Sequence, residues 1–466
     1  MIDEAEAIEI TEMAEAAVTA SATPLTSLNR SLFNLAWPSL VENLLQTFLG
    51  FADMIFVGQL GAAAIAGVGL GVQWMFTLQV AFMGLAVGNT ALVARAVGAG
   101  RKEEAEHIAK QSLILGVLVS VVIALVGFFF SDYILHLMGA EAQVTQVGAN
   151  FLQIVATFSI VMAVMFIGGG TLRGAGDTRT PMLITAFINV VNIVLSFLLV
   201  LGNFGFPRLG TTGTAMATTI SRGIGAILIL YVLFKRGSVL KLDWRGKWAL
   251  HRETVQRILN IGLPSAAEQV VFNLGFLTFS AIVLTLGTND LAAQQIAFNI
   301  SNFSILPAFA FGVAALTLVG QNLGAKNPER AHQSAIQALK SGTVWMVLMG
   351  VGFVVFRSFL VGLYTTDPQV QQLGEMLMLF VALAQPFQST SIVLGQALRG
   401  AGDTRSTLAI TFIGIWIVRV VVGYFLGIML RLGLFGVWLG WIADFVMRAL
   451  LVTLRFRAGK WKTLKV

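Results

Sequence analysis

Long apolar stretches, divided by short polar or basic connections, run through the chain from Leu32 to Leu454. A stretch of about 20 apolar residues is enough for a helix to cross ~30 Å of hydrocarbon. At that length the sequence holds twelve: 32–57, 65–90, 111–131, 147–169, 182–203, 212–234, 259–286, 292–318, 340–362, 372–396, 408–430 and 434–454. None alternates with period two, and an open strand in lipid leaves its backbone groups unsatisfied, so each is predicted to be a helix. The fold class expected is an all-α membrane protein with twelve transmembrane helices.

The pattern also repeats. Pro38-Ser39 with Glu42 reappears as Pro264-Ser265 with Glu268, a shift of 226 residues. At that shift Leu60-Gly61 becomes Leu286-Gly287, and Gly98-Ala99 becomes Gly324-Ala325. The octet Leu172 to Arg179, LRGAGDTR, returns intact as Leu398 to Arg405. The chain is thus expected to be two homologous six-helix bundles. Six is even, so both halves enter from one side and are parallel repeats, with a central cavity between bundles able to rock. The predicted divisions are an acidic tail 1–28, an N-terminal lobe 29–234, a linker 235–257, a C-terminal lobe 258–455 and a basic tail 456–466.

Composition sharpens this picture. Of 466 residues 56% are hydrophobic and 11% charged, too little charge to cover a water-soluble surface. The net charge of +7 is one-sided. Basic residues gather at Arg95–Lys110, Arg173–Arg179, Lys235–Arg257, Lys326–Lys340 and Arg399–Arg405, and in the tail from Arg455 to Lys465. The opposite loops hold Arg208, Arg357 and Arg431. The positive-inside rule then places both termini in the cytoplasm of a multi-pass cell-membrane protein, and no nucleic-acid partner is called for. The segment 1–28 carries six acids and no basic n-region, so it is not read as a signal peptide. Cysteine is absent, which removes disulfides and thiol chemistry.

Few motifs offer chemistry. GAGDTR lacks the Gly-Lys-Ser/Thr of a phosphate loop and follows no strand, so it reads as a tight turn. Thr180-Pro181 is expected to cap and open the next helix, with Ser406 as the counterpart. Arg and Asp of the same turn are expected to pair. His107, His136, His251 and His332 lie at predicted loops or helix ends, with no metal-ligand spacing and no nucleophile–base pair. No cofactor, no metal and no enzyme activity is expected.

Ionisable groups inside a membrane are costly and therefore functional candidates. The first span carries Glu42, Gln46 and Asp53 on one helical face, the two acids about 16 Å apart along the axis. Asp53 is the candidate proton site, since a carboxyl group in apolar surroundings can load and release H⁺ near neutral pH. Its repeat counterpart is Phe279, so one lobe keeps an acid there and the other does not. Glu42 and Glu268 occupy equivalent positions and are candidates for gating against basic-side Arg or backbone groups. Glu268, with Gln269 and Asn273, is also a candidate for binding a cationic substrate. Asp444 and Arg448, spaced i, i+4, predict an ion pair. Arg222 and Arg419 have no partner assignable from spacing. A polar cavity lining is expected from Gln73, Trp74, Gln294, Gln295, Asn299, Asn302, Gln385 and Gln388, among soft Phe and Met side chains that suit varied amphiphiles.

The paired LRGAGDTR loops, the Pro-x-x-x-Glu first helices of both halves, and the loops Arg95 to Gly100 and Gln321 to Lys326 resemble multidrug and toxic-compound extrusion (MATE) transporters over residues 28–455. The resemblance implies secondary active efflux of cationic amphiphiles in exchange for H⁺, with Na⁺ as the alternative. It implies two six-helix lobes, here expected to work as a monomer among membrane lipids. It also implies a functional aspartate fifteen residues after the first proline, which Asp53 matches. In proton-coupled relatives the fifth helix adds an asparagine, matched by Asn192, and can add a second aspartate, where this chain has Ser196. Relatives with a cation site in the second lobe have carboxylates where this chain has Phe272 and Gln388, which favours H⁺. Two other readings stand beside it. A lipid-linked precursor flippase needs several unpaired intramembrane Arg or Lys on one lining. A passive channel does not explain an acid confined to one lobe.

Overall fold

The computed structural model describes residues 25–137, 139, 141–235, 240–243 and 248–464. The acidic tail expected at 1–28 therefore lies almost wholly outside the described residues, as do the parts 236–239 and 244–247 of the linker and the last two residues of the basic tail.

The chain is all helix among the described residues. The first half contains α1 (Leu25–Gly58), α2 (Ala62–Gly98), α3 (Lys102–Leu137), α4 (Ala142–Thr157), α5 (Ser159–Gly174), α6 (Arg179–Leu201) and α7 (Thr211–Phe234). The second contains α8 (Arg252–Leu284), α9 (Thr288–Gly324), α10 (Pro328–Val355), a six-residue α11 (Arg357–Gly362), α12 (Pro368–Gly400), α13 (Thr404–Met429) and α14 (Gly433–Arg457). Eleven helices are long and apolar enough to cross a membrane, and α4 with α5 makes a twelfth, bent by 54°. The twelve spans read from the sequence are thus all present.

Several helices run past the expected limits. α2 and α9, at 37 residues each, extend well beyond the bilayer's needs and carry the basic loops on their ends. Pro38 and Pro264 sit inside α1 and α8, where each removes one intrahelical hydrogen bond. α13 widens into π-helical turns at Ile413–Val420 and Phe425–Met429, whereas α6, its repeat counterpart, is regular α-helix. The bend between α4 and α5 has no proline. There Thr157 Oγ1 donates to the Gln153 carbonyl at 2.6 Å, and Ser159 Oγ donates across to the Ser120 carbonyl at 2.9 Å. Such hydroxyls compete with the helix ladder and bend it.

The lobes meet at the end that carries the basic loops, called here the basic end. Side chains there are small because backbones approach closely. A Cβ on Gly84 would lie 2.6 Å from the Gly262 carbonyl, and one on Gly88 2.7 Å from the Ile258 carbonyl. Gln321 Nε2 donates to the Gly174 carbonyl at 3.0 Å and Thr317 Oγ1 to the Arg173 carbonyl at 3.2 Å. Gly100 and Lys326, equivalent in the repeat, both turn with positive φ just beyond this seam.

Each half also lends the start of its first helix to the other. Leu32, Leu35 and Ala36 of α1 are buried with Ala314, Leu318, Val393 and Val452 of the second half. Ile258 and Ile261 of α8 are buried with Leu85, Leu92, Ile184 and Ile229 of the first. The chain ends pack more tightly than the predicted divisions allowed. Leu240 and Leu242, expected in a linker, are buried in the first-half core, and Trp461, expected in a tail, is fully buried in the second. Arg95 Nη2 then donates to the Leu464 carbonyl at 2.7 Å, tying the last described residue to α2.

The repeated octet departs from its expected capping. α6 begins at Arg179, and its free amide at Thr180 is capped by Asp177 Oδ1 at 2.9 Å, not by Thr180 itself. An acidic side chain at a helix start takes the orphan N–H groups and meets the positive dipole end. Ser406 lies within α13 rather than capping it. Nor do Arg and Asp of one turn pair. Asp403 accepts from Arg455 Nε of α14 at 2.7 Å, while Arg173 and Arg399 turn inward to glutamates. The tight turn itself is present, with Gly176 and Gly402 at φ +95° and +86°.

Candidate functional site

The candidate residues fall at two levels of each lobe. Nearer the basic end are the two glutamates. Arg173 Nη1 of α5 donates to both oxygens of Glu42 at 3.2 and 3.3 Å. Arg399 of α12 donates to Glu268 through Nη2 at 2.6 Å and Nε at 3.3 Å. Thr411 and Thr407 of α13 add hydroxyl donors to Glu268 at 2.6 and 3.0 Å. Both pairs lie within one lobe, so each ties the first helix to its own bundle instead of bridging the gap between bundles. The second is better satisfied because position 407 is Thr where the first half has Pro181. Gln269 Nε2 donates to Asn273 Oδ1 one turn away at 3.1 Å.

Farther from the basic end, α1, α6 and α7 converge on Asp53. Ser196 and Arg222 are the neighbours that act on its carboxyl group, Arg222 from a distance without a direct ion pair, its Nη1 facing Met162 Sδ at 3.6 Å. Asp53 Oδ1 is buried and has no hydrogen-bond partner. Behind it runs a neutral chain of polar groups. Ser196 Oγ donates to Asn192 Oδ1 at 3.4 Å, and Asn192 Nδ2 reaches Ser221 Oγ at 3.3 Å and Thr218 Oγ1 at 3.4 Å. The structure thus brings Asp53, Asn192 and Ser196 together as their positions suggested. Sequence reasoning missed Thr218 and Ser221, and Arg222 as a positive charge near enough to influence Asp53. A polar stripe at 214, 218 and 221–222 was the available signal, since those residues share a face of α7.

The equivalent place in the second lobe is filled differently. Phe279 stands where Asp53 would be, and Arg448 where Arg222 is. Asp444, one turn before Arg448, takes Arg448 Nε and Nη2 at 2.6 and 2.8 Å, the pair expected from the spacing. Arg419, unassignable by spacing, completes the cluster with Nε and Nη2 on Asp444 Oδ2 at 2.9 and 2.5 Å. Its guanidinium lies over the rings of Phe279 and Phe445 at 5.7 and 5.5 Å. A cluster with two cations on one fully buried carboxylate, roofed by aromatic faces, is a closed structural unit.

The expected cavity lining divides. Gln73, Gln295, Asn299 and Asn302 are exposed on α2 and α9, away from the basic end. Gln46 of α1 is exposed as well. Gln294, Gln385 and Gln388 are buried within the second bundle instead. Gln294 Nε2 donates to Ser280 Oγ at 3.0 Å and Gln385 Nε2 to Ser304 Oγ at 3.1 Å, because the inner faces of α8, α9 and α12 need polar partners for one another. Among the described residues no group of three or more His, Cys, Asp or Glu is placed to hold a metal ion.

Two stretches, 38–198 and 264–425, match the MatE family model, and their starts repeat the 226-residue shift of the duplication. The chain belongs to the MATE family. It is 34% identical over 438 residues to the "Probable multidrug resistance protein NorM" of Thermotoga maritima, covering 93% of each chain. It is 30% identical to the "Uncharacterized transporter YisQ" of Bacillus subtilis, over 92% of this chain and 94% of that one. Among solved structures it resembles the "outward-facing conformation of a multidrug resistance MATE family transporter of the MOP superfamily", with TM-score 0.86, 25% identity and coverage of 93% and 97%. A MATE structure in complex with MaD3S matches with TM-score 0.87, also at 25% identity. This chain is accordingly a multi-pass membrane transporter of the MATE family and not an enzyme.

Proposed function

We propose that this MATE transporter exports cationic amphiphilic compounds from the cytoplasm in exchange for H⁺ by alternating access. The observation that carries the reading is Asp53: an ionisable group on a spanning helix, with one oxygen free of partners and a neutral relay of Ser196, Asn192, Ser221 and Thr218 behind it. A group so placed can exchange a small cation without breaking the bundle's own hydrogen bonds. The exposed polar side chains Gln73, Gln295, Asn299 and Asn302, set among aromatic and Met side chains, support a cleft that takes varied amphiphilic cations. Glu42, Gln46, Glu268, Gln269 and Asn273 are assigned in this reading as binding or gating groups. The relatives named for multidrug resistance support the substrate class. The distribution of basic loops supports both termini in the cytoplasm of the cell membrane.

The Na⁺ alternative draws less support, because positions 272 and 388 hold Phe and Gln. A lipid-precursor flippase is disfavoured: Arg419 and Arg448 are both paired with Asp444, leaving Arg222 alone of the three to meet a pyrophosphate. The deciding experiment uses purified protein in proteoliposomes with a fluorescent cation and imposes a pH gradient and a Na⁺ gradient separately. The pH gradient is expected to drive dye accumulation in wild type and not in Asp53→Asn. Accumulation driven by Na⁺ alone transfers the coupling to sodium, and full activity of Asp53→Asn removes Asp53 from the mechanism.

A further inference from the structure

Residues 459–464, expected in the basic tail, are held at both ends of the segment. Gly459, with φ +70°, turns the chain back after α14, and Lys460–Thr463 make a single 3₁₀ turn. Trp461 is fully buried, its ring stacked on Phe456 at 4.8 Å and its Nε1 donating to the Phe456 carbonyl at 2.8 Å. His332 of α10 also stacks on Phe456, at 5.2 Å, and Lys462 Nζ meets Glu329 of α10 at 2.7 Å. All these partners belong to the second lobe. The partner of Leu464 does not: its carbonyl accepts from Arg95 Nη2 of α2 at 2.7 Å. We propose that residues 459–464 are a strap that holds the basic end closed, fixed in the second lobe by Trp461 and tied to the first by Arg95. This rests on the alternating-access part of the functional reading and concerns the state in which the basic end is shut.

Arg95 stands where the lobes come closest. A Cβ on Gly324 of α9 would overlap the Arg95 carbonyl. The repeat counterpart of Arg95 is Gln321 of α9, and it too donates across the seam to a main-chain carbonyl, that of Gly174, at 3.0 Å. The duplicated position thus ties lobe to lobe twice, once onto the end of α5 and once onto the strap. The acid Glu104 does not draw Arg95 away, because Arg101 and Arg257 hold it at 2.6 and 3.0 Å. Arg95 Nη1 is buried with no hydrogen-bond partner, so the Leu464 carbonyl is the acceptor for the other terminal nitrogen. A charged donor on a carbonyl makes a strong bond, and this one exists only while the lobes touch. When the basic end opens, Arg95 exchanges Leu464 for water, and Trp461 stays with the second lobe because leaving would expose its whole ring. The strap therefore favours the closed basic end over the open one.

The test uses the full chain in proteoliposomes. Cysteine is absent, so Glu103→Cys of α3 and Gln333→Cys of α10, one exposed site at the basic end of each lobe, carry the only two spin labels. Pulsed electron-spin resonance then reads the distance between the lobes at that end. Deletion of 459–466 and Arg95→Met are each expected to shift the distribution to longer distances. Arg95→Lys, which keeps a charged donor, is expected to overlay the labelled parent. Superimposed distributions for the deletion and the parent overturn the proposal. A shift in the deletion with none in Arg95→Met overturns the tie to Arg95, and the proposal with it. If the deletion does not fold, Arg95→Met decides alone, since it leaves Trp461 and its packing in place. A single distance under every imposed gradient, in parent and variants alike, sinks alternating access and the strap together. Two populations in unchanged proportion sink the strap alone.

Discussion

Arg222 and Arg448 stand at one address in the two lobes, and each has an aspartate in its surroundings, yet the two sites are built oppositely. Asp444 sits one turn from Arg448 on α14 and is held a second time by Arg419. No sliding of helices can part residues on the same turn of one helix. Asp53 and Arg222 lie on α1 and α7, and the start of α1 is packed into the other lobe. Motion between lobes therefore acts on the spacing of Asp53 and Arg222 and leaves that of Asp444 and Arg448 untouched. The two charges make a rivet in one lobe and stand apart without a direct ion pair in the other, and what decides is which helix supplies the acid.

The largest effect that can break this contrast is expected from Asp444→Asn. It leaves two guanidinium groups buried against half a partner, and losing one side of such a pair costs about 3–5 kcal/mol. Folded protein and melting temperature in detergent should fall sharply, and Asp444→Asn/Arg419→Met should recover part of both. A normal melting temperature in the single variant ends the comparison. Asp53→Asn sharpens it from the other side. Its melting temperature should stay near wild type while pH-driven dye uptake vanishes, and a collapse of folding would make Asp53 a rivet too.

Smaller effects separate the glutamates. Glu268 loses bonds to Arg399, Thr407 and Thr411 when changed to Gln, and bonds to charged groups are worth about 1.5–3 kcal/mol each. Glu42→Gln loosens contacts to Arg173 alone and should lower the melting temperature less. The reverse order would show that the longer contacts of Glu42 carry more than their geometry implies. Smallest of all, Thr411→Val removes one hydroxyl donor from Glu268, for about 1–2 kcal/mol, while leaving transport intact.

How far the sequence revealed this molecule depended on the range of each signal. The twelve spans were legible because lipid demands continuous apolar length, and the duplication because the octet recurs with a fixed shift. Asp444 with Arg448 was legible because one helical turn is a short-range relation. The nearness of Asp53 and Arg222 was not, because 168 residues lie between them and no periodicity links α1 to α7. Arg419 escaped for the same reason: it lies on α13 and its partner Asp444 on α14, and no helical spacing links the two. The bend at Phe158 was hidden because hydroxyl back-bonds, unlike proline, leave no distinctive mark in an apolar run. Trp461 looked like part of a solvated tail because five basic residues surround it, although its ring packs on Phe456 at 4.8 Å.

The crossing of α1 and α8 into each other's bundles makes each half depend on the other. A single six-helix unit of this design cannot bury the opening turns of its first helix by itself, since the surface that covers them belongs to a second copy. A six-helix unit with this packing needs a second copy to cover those turns. Produced today as separate polypeptides, the halves should rebuild the transporter only when made together.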